Sequence, residues 1–370
     1  MGEFGVGSRG KGDFFVHKKI SEIIGRTGAV VDSRAQDDAG VVKGSGKYIT
    51  LAVDGMHSRL SEFPFLAGFH TARAALRDVY VMGSLPAGMI SDMHLADDGD
   101  IGKLFDFTAG VATASELTKV PLVSGSTLRI GGDMVFGDRF VSAVGAVGTS
   151  DEKPKARKNA AEGDIILATE GSGGGTVTTI ALYNNYPEVV KETLNMEFME
   201  ACRALTKRGL KGIHAMTDVT NGGLRGDANE ISKTSGKKLV FYESNLERTV
   251  NKKVLEMLEE LKIDYLGIST DSLMLILPEE NAKEVKKVTK IHKIGHVEKG
   301  GGAKILGERE RDFSPLFREA PYTNIKKVVG EETPKNVEEL RERIKSASSK
   351  AVGKKAEVTR YILFRKEDGI

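Results

Sequence analysis

The sequence predicts an α+β domain followed by an α/β domain. The chain has 370 residues, of which 40% are hydrophobic, and this is enough to build two cores. Apolar segments with strand and helix spacing alternate along most of the chain, but they stop at "TSDEKPKARKNAAEGD". We therefore place a domain boundary near residues 151–162 and divide the chain into 1–155, 156–310 and a C-terminal extension, 311–370.

The first domain is predicted to combine a hairpin with two helices and two further strands. "GVVKGSGKYITLAV" has a Gly-Ser-Gly turn between two strand-like runs. "AGFHTARAALRDVYVMG" and "IGKLFDFTAGVATASELTK" have helical spacing, which in the first segment places Phe69, Ala72 and Leu76 on one stripe. The strands "VPLVSG" and "RFVSAVGAVG" complete this α+β domain.

The second domain is predicted to alternate strands with helices. Its strands are "DIILAT", "KLVFY" and "DSLMLIL", and its helices lie around 187–208, 224–235, 247–261 and 279–289. The extension contains one clear helix, "TPKNVEELRERIKSASSKA", which Thr333 can cap.

Composition argues against several classes of protein. The net charge of +2 does not suit a dedicated nucleic-acid surface, and the locally basic tail from Arg343 onward is expected to be a solvated helix. The sequence has no apolar run long enough to span a membrane and no signal peptide, so we expect a cytoplasmic protein. Cys202 lies at helical spacing from Phe198 and Leu205, which indicates a core thiol.

Aspartates flank the predicted hairpin in "DDAG" and "VDG". If the turn is centred on Ser45, Asp38 faces Ala52 and Asp54 faces Gln36, so both carboxylates lie at the open end of the hairpin. Charges so close are unfavourable unless a cation or hydrogen-bond donors compensate them, and this favours a divalent metal. The alternative is a solvated loop with turn-forming aspartates.

Asp78 borders the apolar stripe of its predicted helix, where a charge is costly unless it is paired. Its simplest partner is the nearby Arg73 or Arg77 in a surface pair. By itself, this residue is weak evidence for a site.

"MTDVTNGGL" places two glycines at the start of a predicted helix. Leu224, Ala228 and Ile231 are spaced at i, i+4 and i+7, so the helix is expected to begin near Asn221. The two glycines then occupy its first turn, where backbone N–H groups are free and a phosphate can approach closely.

Asp218, just before this turn, would repel a phosphate unless a magnesium ion lay between them. The stretch therefore predicts a metal–phosphate pair. The alternative is a simple Asp or Thr cap with the glycines in a turn. We expect Asp227 to be a helix-surface or interdomain contact, outside this set.

"EGSGGGT" (170–176) follows a predicted strand and either lines a phosphate site or forms a flexible strand-to-helix turn. It is not a Walker motif, because GxxxxGK[ST] is absent. No histidine occurs in a zinc-binding pattern, so zinc catalysis is not expected.

These motifs form an ordered set. "DDAG", "AVDG", "RDVYVMGSLP", "VSGST", "GDIIL" and "MTDVTNGGL" occur in the order found in the superfamily of aminoimidazole ribonucleotide synthetase. That superfamily also contains selenophosphate synthetase, thiamine-monophosphate kinase and the hydrogenase-maturation carbamoyl dehydratase. The resemblance spans roughly residues 10–305. It implies a two-domain protomer whose N-terminal sheets pair across a homodimer into a barrel, with ATP bound between the domains through Mg²⁺.

The resemblance also implies roles for individual residues. The implied metal ligands are Asp37, Asp38, Asp54, Asp78 and Asp218. The implied nucleotide-binding residues are Asp54, Gly125, Ser126, Thr127, Asn221, Gly222 and Gly223. Lys11 or Arg9, from the glycine-rich N-terminus, would stabilise charge during phosphoryl transfer, and Lys11 and Asp218 are the implied catalytic residues.

The sequence also departs from the pattern of the superfamily. Ser126 stands where an acidic residue or a histidine is usual, and Asp133 is a candidate to compensate. The N-terminal loop lacks the cysteine common in selenophosphate synthetase, and the C-terminus lacks the cysteine of the carbamoyl dehydratase. "DGMHSR" replaces the DGVGTK-like segment of aminoimidazole ribonucleotide synthetase.

We therefore expect a magnesium-dependent, ATP-cleaving homodimer that phosphorylates or activates a small-molecule acceptor. Two alternatives remain open: a nucleotide-binding regulatory protein without turnover, and an assembly scaffold.

Overall fold

The computed structural model describes residues 4–7, 10–130, 139–209, 212–220, 222–319 and 333–367. After an N-terminal helix, α1 (Lys11–Ile24), the first domain is built on one five-stranded sheet. Its strands are β1 (Gly40–Gly44), β2 (Lys47–Gly55), β3 (Leu85–Ala96), β4 (Leu122–Ile130) and β5 (Phe140–Ser150), in the order β1-β2-β5-β3-β4. Helices α2 (Pro64–Val81) and α3 (Gly102–Thr118) cover one face of the sheet.

The two faces of this sheet differ. On the covered face, Leu76, Met89 and Phe107 are fully buried in one hydrophobic cluster. On the opposite face, Val53 and Val141 are 72% and 56% exposed. Helices α2 and α3 therefore bury one face of the sheet, and the apolar side chains on the other face are exposed.

The predicted hairpin forms, but its predicted register is wrong by one residue. Gly40 pairs with Leu51 and Gly44 with Lys47, so the turn contains two residues, Ser45 and Gly46. Their φ angles of +51° and +78° are those of the tight turn that suits strand twist. Pairing between β1 and β2 begins at Gly40, and neither Asp38–Ala52 nor Asp54–Gln36 is a cross-strand pair.

The second domain is built on a seven-stranded, mostly antiparallel sheet. Its strands are β6 (Ile165–Ala168), β7 (Ala215–Asp218), β8 (Lys237–Tyr242), β9 (Leu273–Leu277), β10 (His292–Lys299), β11 (Ala303–Leu306) and β12 (Glu310–Asp312), in the order β12-β11-β8-β10-β6-β9-β7. Its helices are α4 (Gly175–Tyr183), α5 (Pro187–Thr193), α6 (Glu197–Arg208), α7 (Gly223–Ser235), α8 (Glu243–Leu246), α9 (Lys252–Glu260) and α10 (Ala282–Lys286). The helix predicted over 187–208 is therefore two helices. Cys202, on α6, is fully buried in a hydrophobic cluster with residues of the sheet, which confirms the core thiol.

The chain termini pack together. The last helix, α11 (Val337–Glu367), begins four residues after Thr333, which is therefore not its cap. Phe4, Phe317 and Leu340 form a small core between α1 and α11. Lys355 Nζ donates to the last carbonyls of α1, at 2.8 and 2.9 Å. In the part of the chain that the structure describes, no helix has the length and apolarity needed to cross a bilayer.

Candidate functional site

A cavity of about 390 Å³ lies where the two domains meet. Asp37, Asp38, Asp54 and Asp78 all line it, although they come from three separate segments. Asp37 and Asp38 lie in the loop before β1, Asp54 lies near the end of β2, and Asp78 lies in the last turn of α2. Because α2 packs across β2 and β5, its last turn meets the end of the hairpin. The structure thus brings together four of the five predicted metal ligands.

These carboxyl groups are held where a charge is costly. Burial raises the pKa of Asp37 to about 6, against a lowering effect of Arg157. Burial, followed by the nearby charges of Asp218 and Asp54, raises the pKa of Asp78 well above its usual range. Burial likewise raises the pKa of Asp38. A cluster with these properties gains stability from a proton or from a cation.

Arg157, from the predicted boundary segment, neutralises part of this cluster. Its Nη2 donates to Asp38 Oδ1 at 2.5 Å and to Asp227 Oδ1 at 3.0 Å, and its Nη1 donates to Glu230. Its backbone N–H donates to Asp37 Oδ2 at 3.1 Å. The Arg157 side chain is 1% exposed, so it is an internal cation that joins the linker, the loop before β1 and α7.

Asp227 belongs to this interior cluster, so it is an interdomain contact and not a helix-surface residue. Asp227 and Glu230 lie three residues apart on α7 and both face Arg157. That i, i+3 acidic pair was a usable signal for a buried cation. The sequence alone did not show that the cation is an arginine located about 70 residues earlier.

Asp218 occupies a different place from the one predicted. It is fully buried at the end of β7 and does not line the cavity. Arg77 Nε donates to its Oδ2 at 2.9 Å, and Arg77 Nη1 donates to Asp271. Arg77 and Asp271 do line the cavity. Arg77 contacts only Oδ2 of Asp218, and Oδ1 is buried without a hydrogen-bond partner among the described residues. No sequence pattern pointed to Asp271, and Arg77, expected in a surface pair, is buried.

The glycines at the start of α7 do not line the cavity. The helix begins at Gly223, and Gly222 has φ +96°. A Cβ on Gly223 would lie 2.3 Å from the carbonyl oxygen of Leu266. The adjacent Thr220 does line it, and Asn221 lies outside the described residues, so the phosphate cradle stays a prediction.

A different helix start faces the cavity. Gly175 and Thr176, the first residues of α4, line it, and His57 Nε2 lies 3.2 Å from Thr176 Oγ1. The preceding glycines pack closely: Gly171 and Gly173 donate backbone hydrogen bonds to Thr249 and Thr270. The "EGSGGGT" segment is thus a packed turn whose last two residues reach the cavity.

Lys11 does not line the cavity either. It is exposed at the start of α1, and its backbone N–H donates to the carbonyl of Leu316 at 2.9 Å. Asp13 and His17, further along the same helix, line the cavity instead. The alternative cation, Arg9, lies outside the described residues.

Gly125, Ser126 and Thr127 lie on the exposed strand β4, apart from the aspartates. Gly125 and Ser126 line a second groove, of about 550 Å³, on the open face of the first sheet. Asp133 lies outside the described residues. Within one chain, this predicted nucleotide-binding segment and the aspartate cavity are separate.

The aspartates do not by themselves form a complete set of metal ligands. Within the described ranges, no three histidine, cysteine, aspartate or glutamate side chains converge closely enough to hold a metal ion by themselves. Asp38 is turned towards Arg157, but its Oδ2 atom is buried and has no hydrogen-bond partner among the described residues. Such an oxygen suits a cation whose other ligands come from phosphate and water, which is how proteins commonly bind Mg²⁺.

Comparison with known proteins gives the family. Residues 36–149 match the family model described as "AIR synthase related protein, N-terminal domain", and residues 161–307 match the corresponding C-terminal domain. An uncharacterized protein of Methanocaldococcus jannaschii is 57% identical over 99% of this chain and 82% of its own length.

More distant relatives have functional names. The selenide, water dikinase of M. jannaschii is 25% identical over 67% of this chain and 74% of its own length. The thiamine-monophosphate kinase of Methanopyrus kandleri is 26% identical over 65% of this chain and 74% of its own.

Solved structures share the fold. The structure described as a HypE–HypF complex has a TM-score of 0.64 at 20% identity and covers 76% of this chain and 94% of its own. The structure of AaThiL complexed with AMPPCP and TMP has a TM-score of 0.63 at 21% identity. The match covers 81% of this chain and 94% of the chain in that structure. Both domain matches and the two-sheet architecture lead to one conclusion: the chain belongs to the AIR synthase related family.

Proposed function

We propose that the protein is a magnesium-dependent enzyme that binds and cleaves ATP in the cavity between its domains and transfers a phosphoryl group to, or activates, a small acceptor. The observation that carries the proposal is the convergence of Asp37, Asp38, Asp54 and Asp78 on one interdomain cavity. Two relatives are named as kinases, and one solved structure of the same fold holds an ATP analogue.

The four aspartates are the residues that would hold Mg²⁺, and the buried free oxygen of Asp38 supports this role. Bound Mg²⁺ would neutralise the phosphate oxygens. Across the cavity, the backbone at the start of α4 and the guanidinium of Arg77 offer donors to an anion. The cavity therefore has an acidic side and a donor side, which suits a metal–triphosphate ligand.

Homodimer formation is part of the proposal. The open face of the first sheet exposes apolar side chains, among them Val53, Ile90 and Val141, and Val53 and Ile90 line a groove on it. An apolar surface of this kind usually becomes an interface. A barrel formed from two such faces would cover Val53, Ile90 and Val141. It would also place Gly125 and Ser126 at the interface.

Phosphorus NMR with ATP, Mg²⁺ and candidate acceptors tests the catalytic proposal. We expect a phosphorylated product, or ADP or AMP with released phosphate, in the wild type. Asp78→Asn should abolish it, whereas Asp106→Asn, on the exposed side of α3, should not. Unchanged ATP affinity and turnover in Asp78→Asn would overturn the assignment. ATP binding with no product from any acceptor would favour a nucleotide-binding regulatory protein.

A further inference from the structure

The C-terminal extension completes both ends of helix α1. The backbone N–H groups at the start of a helix have no partner within it. In α1, the Lys11 N–H donates to the carbonyl of Leu316 at 2.9 Å, and the Gly12 N–H donates to the carbonyl of Phe317 at 3.2 Å. At the other end, Lys355 Nζ donates to the last two carbonyls. A helix of 14 residues is marginal on its own in water, so α1 depends on these contacts.

Side chains of the extension also pack against the N-terminal segment. The rings of Phe4 and Phe317 meet edge to face, with centroids 5.6 Å apart, and Leu340 of α11 is buried beside them. A Cβ on Gly12 would lie 2.1 Å from the carbonyl oxygen of Phe4 and 3.0 Å from the ring of Phe317. Only a glycine fits this position, which indicates a close and specific contact.

The extension is itself anchored to the second domain. Phe313 is buried in a core cluster of the second sheet, and its N–H donates to the carbonyl of Ala303 at 3.0 Å. Glu319 accepts two hydrogen bonds from Arg225 of α7, at 3.0 and 2.8 Å, and its side chain is 2% exposed. Paired hydrogen bonds of this kind are among the strong ones in proteins. Residues 313–319 are therefore a fixed support for the start of α1.

The other side of α1 forms a wall of the cavity. Asp13 and His17 lie four residues apart, hence on one face of the helix, and both line the cavity. Asp13 is fully buried, and its Oδ1 atom accepts from the Gly7 N–H at 2.9 Å and lies 3.4 Å from His17 Nε2. Neither α1 nor the extension lies within the residues that match the two family domains. This wall is therefore an addition to the matched domains.

We propose that residues 313–319 and α11 form a strap that holds α1 in place as a wall of the nucleotide cavity, and that tight nucleotide binding requires this strap. The nucleotide meets the Asp13–His17 face only in molecules whose α1 is docked. The apparent affinity therefore falls in proportion to the fraction of molecules in which α1 has come away. This inference rests on the proposed ATP-binding function.

Hydrogen–deuterium exchange and calorimetric titration of the full chain test the strap. The probe is the non-hydrolysable analogue AMPPCP with Mg²⁺, which should slow amide exchange over α1 in the wild type. Leu340→Ala removes a strap side chain, so it should speed exchange over α1 and weaken AMPPCP binding about tenfold. Val358→Ala is the matched control, because Val358 lies on the same helix and is 54% exposed; it should change neither quantity.

A second variant separates the strap from general destabilisation. Glu319→Gln weakens the anchor on Arg225, and it should shift α1 exchange and AMPPCP affinity in the same direction as Leu340→Ala, with exchange in β9 unchanged. Faster α1 exchange with unchanged AMPPCP affinity would overturn the inference and leave the proposed function standing. Unchanged α1 exchange in both variants would overturn it as well. Failure of the wild type to bind AMPPCP, with or without Mg²⁺, would overturn both the inference and the proposed function.

Discussion

Arg77 and Arg157 are both buried arginines that join distant parts of the chain, but their surroundings differ. Arg157 donates to three carboxylates, to the Gln36 carbonyl and to the hydroxyl of Thr217, and it does not line the cavity. Arg77 donates to two carboxylates and forms part of the cavity wall. The comparison teaches that burial and ion pairing alone do not identify a functional cation. Access to the ligand space separates a structural arginine from one that can act on a ligand.

The largest effect is expected from Arg157→Met. The substitution leaves Asp38, Asp227 and Glu230 buried without their cation, which should lower the free energy of unfolding by about 3–5 kcal/mol. Chemical denaturation measures this change. Arg129→Met is the control, because Arg129 is exposed on β4 and its pair with Asp97 should contribute at most about 1 kcal/mol. Equal effects of the two substitutions would contradict the central role of Arg157.

Arg77→Met should destabilise the protein less, by about 3 kcal/mol, because Arg73 remains near Asp271. It should also leave Asp218 without its arginine partner, so Mn²⁺ alone should raise the melting temperature of this variant more than that of the wild type. Differential scanning fluorimetry with and without Mn²⁺ measures both effects. If Mn²⁺ stabilises the two proteins equally, Arg77 does not compete with a cation for this carboxylate.

Thr217→Val probes a neutral partner of Arg157. Thr217 Oγ1 accepts a hydrogen bond from Arg157 Nη2 at 2.8 Å. Loss of this hydrogen bond should lower the free energy of unfolding by about 1–1.5 kcal/mol and leave ATP affinity unchanged. Denaturation and calorimetric titration with ATP measure these quantities. A large loss of ATP affinity would mean that the Arg157 cluster also acts on the ligand.

Ser269→Ala is the matching change beside Arg77 and should have the smallest effect on stability, about 0.5–1 kcal/mol. It removes the donor to Asp271 Oδ1, so the carboxylate that holds Arg77 becomes less constrained. We expect nucleotide affinity to fall by a few-fold, in contrast to Thr217→Val. If Ser269→Ala changes stability but not affinity, the proposed difference between the two clusters is wrong.

Several parts of the fold and the site could be predicted from local patterns. The hairpin, the helix that carries Asp78 and the helix after Asp218 all form near their predicted positions, because periodicity and turn residues act over a few neighbours. The predicted register of the hairpin was wrong by one residue. The segment Gly44-Ser45-Gly46 is compatible both with a turn centred on Ser45 and with the two-residue turn, Ser45–Gly46, that forms. Burial of Cys202 also followed from its helical spacing.

The charge pairs could not be predicted in this manner. Arg77 and Asp271 are 194 residues apart, and Arg157 and Asp38 are 119 apart. No local pattern in the sequence specifies which arginine reaches which carboxylate. Local patterns also do not show which residues reach the cavity. They predicted a role in the site for Lys11, Gly222 and Gly223, and none of the three lines the cavity.

The sequence by itself determined the order of the motifs, most helices and strands, and the residues Asp37, Asp38, Asp54 and Asp78 as an acidic group. The tertiary structure decided which carboxylates face the cavity and which are already held by arginine. The physical reason is that desolvation and ion pairing depend on neighbours brought together by folding, whereas helix and strand formation depends mainly on residues nearby in the chain. Asp218 illustrates the difference: its motif predicts a ligand of metal, and folding pairs one of its oxygens with the guanidinium of Arg77.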